Sequence, residues 1–177
     1  TFMAIAASNS PENAYEVCKI VAKESRAVGI HWNFSPVVDV NNNPNNPIIN
    51  VRSFSEDPSV VSSYATQYIL GLQENGLLAT AKHFPGHGDT ETDSHSSLAM
   101  IPSDSSRLWE IEIPPFIDMV ERGIDAIMVA HVHSPDYQPD SYTPASMSKF
   151  WVNDILKEKL KFRGAIVTDG MGMGGIV

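Results

Sequence analysis

The chain has 177 residues, enough for one domain with a substantial core, and carries 12 basic against 21 acidic residues for a net charge of −9. That acidic balance, with no cluster of Lys or Arg, argues against nucleic acid and anionic membrane as partners. A single cysteine, Cys18, excludes an internal disulfide framework, and no apolar run approaches the length of a membrane span.

Taken in order, the elements alternate. Ser10-Pro11 reads as a cap followed by a first-turn proline, and Ala14, Val17, Cys18 and Val21 recur at helical spacing until Gly29 stops the helix. Cys18 on that face reads as a small core residue. Residues 31–40 read as a strand carrying Trp32, Phe34, Val37, Val38 and Val40, and residues 41–47, NNNPNNP, as an irregular loop of turn formers. Asp57-Pro58 opens a second helix with Val61, Tyr64, Ala65, Tyr68 and Leu72 on one face and Gly76 at its end. Residues 77–81 are a second, buried strand. Residues 103–122 predict a helix in two pieces, split at Pro114-Pro115; residues 125–130 predict a third strand and 134–146 a polar, Pro-rich loop. A further helix over 148–160 and a fourth strand over 164–168 follow. Trp32, Trp109 and Trp151 read as core or helix-packing residues.

Near-continuous apolar strands alternating with helices predict an α/β fold with a parallel sheet. Polar groups stand at the carboxyl end of every strand: Asp39, then Lys82 and His83, then His131, then Asp169. In a parallel barrel those ends open on one face, where the chemistry occurs. Four strands in agreement point to a (β/α)8 TIM-type barrel, of which roughly half would be present. Gly170, Gly172, Gly174 and Gly175 come near a phosphate-binding turn, but no helix pattern follows them.

The stretch richest in chemistry is 82–95, KHFPGHGDTETDSH, with His83, His87 and His95 out of six histidines in the chain. Three uses are open to it. Its His and Asp residues could ligate a metal, although the His83–His87 spacing aligns two rings only in a helix, which Pro85 and Gly86 forbid. Asp93 and His95, two apart, would leave an extended segment on one side as an acid–base pair, the carboxylate fixing the tautomer of the imidazole. Or the groups tie the loop down through hydrogen bonds, the preferred reading for His87, Asp89 and Glu91. Asp39 reads as shaping the Asn-rich loop. Arg52 either binds substrate or pairs with Glu56 or Asp57, and His131 is either functional or a satisfied core histidine.

The stretch KHFPGHGDTETDSH resembles the signature of family-three glycoside hydrolases, in the β-N-acetylhexosaminidase branch. Residues 30–58, 126–132 (AIMVAHV) and 163–173 (RGAIVTDGMGM) resemble other segments of that family, so the similarity covers nearly the whole chain. The resemblance implies a retaining mechanism with Asp169 as nucleophile, His95 as general acid/base and Asp93 as its dyad partner. It implies that Arg52, Lys82 and His83 hold the sugar, and it implies no cofactor and no metal. The expected activity is that of an exo-β-N-acetylglucosaminidase acting on GlcNAc-containing oligosaccharides of peptidoglycan or chitin type. A phosphorylase or a non-catalytic sugar-binding barrel are the competing readings. The family's early Asp-x-Glu-Gly-Gly stretch is missing, so residues 1–177 are expected to be the central portion of a single catalytic domain. The first and last strands would come from residues outside them. Bacterial cytoplasm and cell envelope both fit.

Overall fold

The computed structural model describes residues 1–101, 105–139 and 142–176. It opens with α1 (Phe2–Ala6), too short to leave a periodic signal in the sequence, capped by Thr1 Oγ1, which accepts the Ala4 N–H at 3.2 Å. Next, α2 (Glu12–Ala27) buries the small residues Ala14, Cys18 and Ala22, and α3 (Pro58–Gln73) packs beside it. Asp57 Oδ1 caps α3 by accepting the Ser59 N–H at 2.8 Å. Both long helices stop at a glycine with positive φ, 85° at Gly29 and 77° at Gly76, as the sequence predicts.

Among the described residues five strands follow: β1 (Thr80–Phe84), β2 (Ala99–Met100), β3 (Ala126–Val129), β4 (Val132–His133) and β5 (Ala165–Thr168). The main sheet is parallel in the order β1-β3-β5, and β2 pairs in parallel with β4 as a small second sheet. On the other side of β1 lies the segment 31–38. Leu78 N donates to His31 O at 3.0 Å, Thr80 N to Ser35 O at 2.9 Å and Val38 N to Lys82 O at 2.8 Å. This is not the regular strand expected over 31–40: it makes two isolated bridges, Trp32 to Leu78 just before β1 and Val37 to Lys82 within it, because Pro36 brings no N–H to the ladder. Within the main sheet, each strand is thus added on the same side of the one before it. That sequential order belongs to a (β/α) barrel, whereas a doubly wound sheet reverses.

Helices cover the sheet. The stretch expected to be helical from 103 begins outside the described residues; it continues as α4 (Ser105–Arg107), a wide turn over Leu108–Glu112, and α5 (Pro114–Glu121). The last helix, α6 (Phe150–Lys159), ends in a wide turn in which Leu160 N reaches Ile155 O at 2.9 Å. Within the expected loop 134–146, residues 140 and 141 lie outside the described residues. The core sits between sheet and helices, where Phe84 meets Phe116 edge-on at 5.3 Å and Trp151 at 5.9 Å.

Phe84 can do so because the register against β3 slips between Lys82 and Phe84. His83 is the extra residue, and the bulge releases Phe84 from the face that Thr80 and Lys82 share. The second strand therefore starts three residues later than expected, since Leu78 is engaged by His31 and Asn33 at the edge rather than by β3. Lys82 and His83 belong to the strand itself, not to the loop after it. Trp32 departs from its expected core position and is 36% exposed at this edge, whereas Trp151 is fully buried. Trp109 packs under the ammonium of Lys159, 3.4 Å from its ring centroid.

Candidate active site

Asp39 ends the edge segment and is fully buried. Its Oδ1 accepts the N–H of His87 at 2.8 Å and of His83 at 3.2 Å, and its Oδ2 lies 2.7 Å from His83 Nδ1. The side chain thus holds the 83–87 turn and not the Asn-rich loop, a correction to the sequence reading. Burial alone would raise the carboxyl's pKa, but the charge of His83 and its hydrogen bonds outweigh that and hold it below the usual value. An ionised Asp39 has no proton to give, so His83 Nδ1 is the donor in their contact. Nε2 faces Arg52 Nη2 at 3.4 Å. Arg52 also donates to Ile48 O at 3.3 Å, while Asp57, one of its expected partners, is occupied as the cap of α3.

Lys82 stands beside this group. Burial, then the charge of Arg52, lowers its pKa; the charges of Asp169 and Asp39 pull the other way. Lys82 and Arg52 border a cavity of about 280 Å³ together with Phe34, Ser35, Val37 and Tyr68. His95 and Asp169 are not among its lining residues.

The loop beyond carries Asp93 and His95. Asp93 Oδ1 accepts the N–H of His95 at 2.8 Å and lies 2.6 Å from its Nδ1. The pair forms in a tight turn and not in the extended segment expected, for the N–H groups of Ser96 and Ser97 both reach Asp93 O, at 3.0 and 3.2 Å. The backbone hydrogen bond from His95, followed by the bond and charge of its ring, lowers the pKa of Asp93. Both side chains are open to solvent, His95 to 61% and Asp93 to 44%.

Other titratable groups serve the scaffold. His87 is buried between the hydroxyls of Thr90 and Ser94. Asp89 Oδ2 lies 2.6 Å from Arg107 Nη1, which also reaches the buried Glu112 at 3.2 Å. Burial raises the Glu112 pKa. His131 is buried against Ser146 Oγ and the carbonyl of Gly170, a satisfied histidine that steadies the turn after β5.

Asp169 follows β5 directly, its N–H bonded to Val129 O at 3.0 Å and its Oδ1 accepting the Gly170 N–H at 2.8 Å. Five residues on, the chain returns to the Asp93–His95 loop: Gly174 N donates to His95 O at 2.8 Å and Gly175 N to Ser94 O at 3.0 Å. The candidates therefore fall into two contact groups. Arg52, His83 and Asp39 form one, with Lys82 within reach of their charges; Asp93 and His95 form the other, joined by backbone to the segment leaving Asp169. Sequence reasoning did not find the contacts of Ser94 and of the two glycines, which no local pattern announces. Among the described residues no group of three or more His, Cys, Asp or Glu is placed to hold a metal ion, and no helix is long and apolar enough to cross a membrane.

Carboxylates and imidazoles gathered at the carboxyl ends of parallel strands define a barrel built for polar chemistry on one rim. Residues 1–177 match the glycosyl hydrolase family 3 N-terminal domain, and the chain belongs to that family. It is 39% identical over 173 residues to a beta-hexosaminidase A of Pseudoalteromonas piscicida, covering 92% of this chain and 29% of that protein. Among solved structures, a glycoside hydrolase family 3 beta-N-acetylglucosaminidase from Paenibacillus sp. str. FPU-7 superposes with a TM-score of 0.95 at 42% identity, covering 98% of this chain and 33% of the other. The beta-glucoside phosphorylase BglX, bound to 2FGlc, reaches a TM-score of 0.95 at 31% identity, covering 99% of this chain and 33% of the other. The fold is the α/β, TIM-type barrel of the family, and the chain spans less than half the length of the first curated relatives it matches.

Proposed function

We propose that this chain is the central portion of a retaining β-N-acetylglucosaminidase that releases terminal β-linked GlcNAc from peptidoglycan or chitin-type oligosaccharides. The observation that carries the reading is the His95–Asp93 pair, whose 2.6 Å contact puts the proton of a neutral imidazole on Nδ1 and the basic lone pair on Nε2. In the first step Asp169 attacks the anomeric carbon while protonated His95 gives its Nε2 proton to the departing glycosidic oxygen. In the second, neutral His95 takes a proton from water, the oxygen attacks the same carbon, and Asp169 leaves as carboxylate. Asp93 stabilises the imidazolium that enters the first step and is formed again in the second. Arg52, Lys82 and His83 would grip hydroxyls and the acetamido oxygen, with His83 fixed by the buried Asp39.

Residues outside 1–177 are proposed to complete the barrel. Two features support this: β5 has partly exposed residues along its whole length, and Ile30, Trp32 and Phe34 are 49%, 36% and 50% exposed at the opposite edge. Names of similar proteins, a beta-hexosaminidase and a beta-N-acetylglucosaminidase, support the substrate class.

Treating the full-length polypeptide with a fluorinated N-acetylglucosaminyl donor should leave a glycosyl adduct on the peptide bearing Asp169, and Asp169→Asn should lower turnover by about 10⁴-fold or more. An adduct on a different carboxylate, or none from an active enzyme, overturns the assignment. Phosphate is a second acceptor to consider: a phosphorylase is among the similar structures, and a histidine does not repel an incoming anion as a glutamate would. Rates with and without phosphate separate the two acceptors.

A further inference from the structure

His87 and Ser94 play no part in the reaction just described, yet both are buried inside the loop that carries the dyad. Thr90 Oγ1 uses its one proton on His87 O, at 3.0 Å, so towards His87 Nδ1, 2.6 Å away, it can only accept. The proton of His87 therefore sits on Nδ1. Its Nε2 is left as an acceptor, and the donor facing it at 2.9 Å is the hydroxyl of Ser94. Burial favours this neutral ring by lowering the pKa of His87.

Ser94 is the residue between Asp93 and His95. While its hydroxyl points to His87, its carbonyl accepts the Gly175 N–H at 3.0 Å, and the next carbonyl, of His95, accepts the Gly174 N–H at 2.8 Å. The approach leaves no room for side chains. A Cβ on Gly174 would come within 2.3 Å of Ser96 O, and one on Gly175 within 2.9 Å of Ser94 O. The loop is thus gripped from below by an imidazole and from the side by backbone that continues from β5 and Asp169.

We infer that Ser94 is the positioning residue of this site: bonded to His87 and to Gly175, it sets where the Asp93–His95 pair stands relative to the strand end bearing Asp169. The inference rests on the reading of Asp93 and His95 as the proton-transferring dyad. Ser94 touches no reacting atom; it acts through its neighbours. A one-ångström misplacement of a catalytic group costs about a hundredfold, so losing the hydroxyl should cost turnover without abolishing it.

The test compares Ser94→Ala, Ser94→Thr and His95→Ala in the full-length polypeptide on aryl β-N-acetylglucosaminides of graded leaving-group pKa. Ser94→Ala should lower kcat by about ten- to a hundredfold on poor leaving groups and less on activated ones, because only poor ones need the proton. Ser94→Thr, which keeps the hydroxyl, should restore most of the rate. A purely structural fault would scale all substrates equally, since it only reduces the number of folded molecules. Such uniform scaling, or an unchanged rate in Ser94→Ala while His95→Ala is impaired, overturns the inference alone. An unimpaired His95→Ala overturns the dyad reading beneath it. Should Ser94→Ala fail to fold, Gly174→Ala disturbs the same seat from the other side: a loss confined to poor leaving groups supports the inference, and uniform scaling or an unchanged rate overturns it.

Discussion

The two halves of the candidate site are built on opposite principles. Arg52, Lys82 and His83 stand on or against β1 around an Asp39 carboxylate with no solvent exposure, which takes three hydrogen bonds from the 83–87 turn. Asp93 and His95 stand on a loop, bonded chiefly to each other, with the imidazole more than half exposed. Groups that hold a ring in one pose gain from a rigid, dry setting, in which charge–dipole contacts are strong. A group that must exchange protons with a leaving group and then with water needs access. Rigidity and access conflict, and under the proposed roles the chain would meet both by fixing the first group through the core and the second through a few loop contacts.

This contrast can be broken from either side, and the largest effect should come from the buried half. Asp39→Ala leaves His83 and two backbone N–H groups without their acceptor, and should cost about 3–5 kcal/mol in denaturant unfolding along with most of the substrate affinity. Retention of wild-type stability would show that Asp39 does not organise the turn.

The exposed half should answer differently. His95→Ala ought to reduce turnover of unactivated disaccharides by about 10²–10⁴-fold, while unfolding free energy stays within about 0.5 kcal/mol of wild type. A matching loss of stability would mean that the loop is as integral to the core as β1.

The smallest effect sharpens the comparison within the buried half. The folded-state pKa of Lys82 lies below its ordinary 10.5, because burial and Arg52 disfavour the ammonium. Its unfolded form therefore binds more protons than its folded form between those two values, and stability gains a rising contribution as pH climbs through that window. Lys82→Met removes the contribution: its unfolding free energy should exceed wild type slightly at neutral pH and draw level with it in alkali, with sugar binding lost throughout. A variant less stable than wild type at neutral pH would contradict this.

Much of this was legible in the chain. Asp57-Pro58 with Gly76 bounds α3, Pro114-Pro115 starts α5, and polar residues at strand ends mark the rim, because each depends on local backbone preferences or on side-chain alternation. Asp39 shows the limit. Its place at a strand end was visible, but its partners, 44 and 48 residues away, were not, and nearby Asn residues suggested a local role. The bulge at His83 was equally hidden, since a period-two pattern carries no mark of where the neighbouring strand will slip.

By itself, then, the sequence determined the α/β alternation, the ends of α2 and α3 and the candidates for the proposed chemistry, all of which are set by near neighbours in the chain. Only the tertiary structure decided which of those residues meet. It turned Arg52 to His83, put Ser94 between His87 and Gly175, and made the Asp93–His95 contact in a turn instead of a strand. The reason is that such contacts depend on sheet register and loop docking, which are settled by packing between segments far apart in the chain and leave no period or spacing to read.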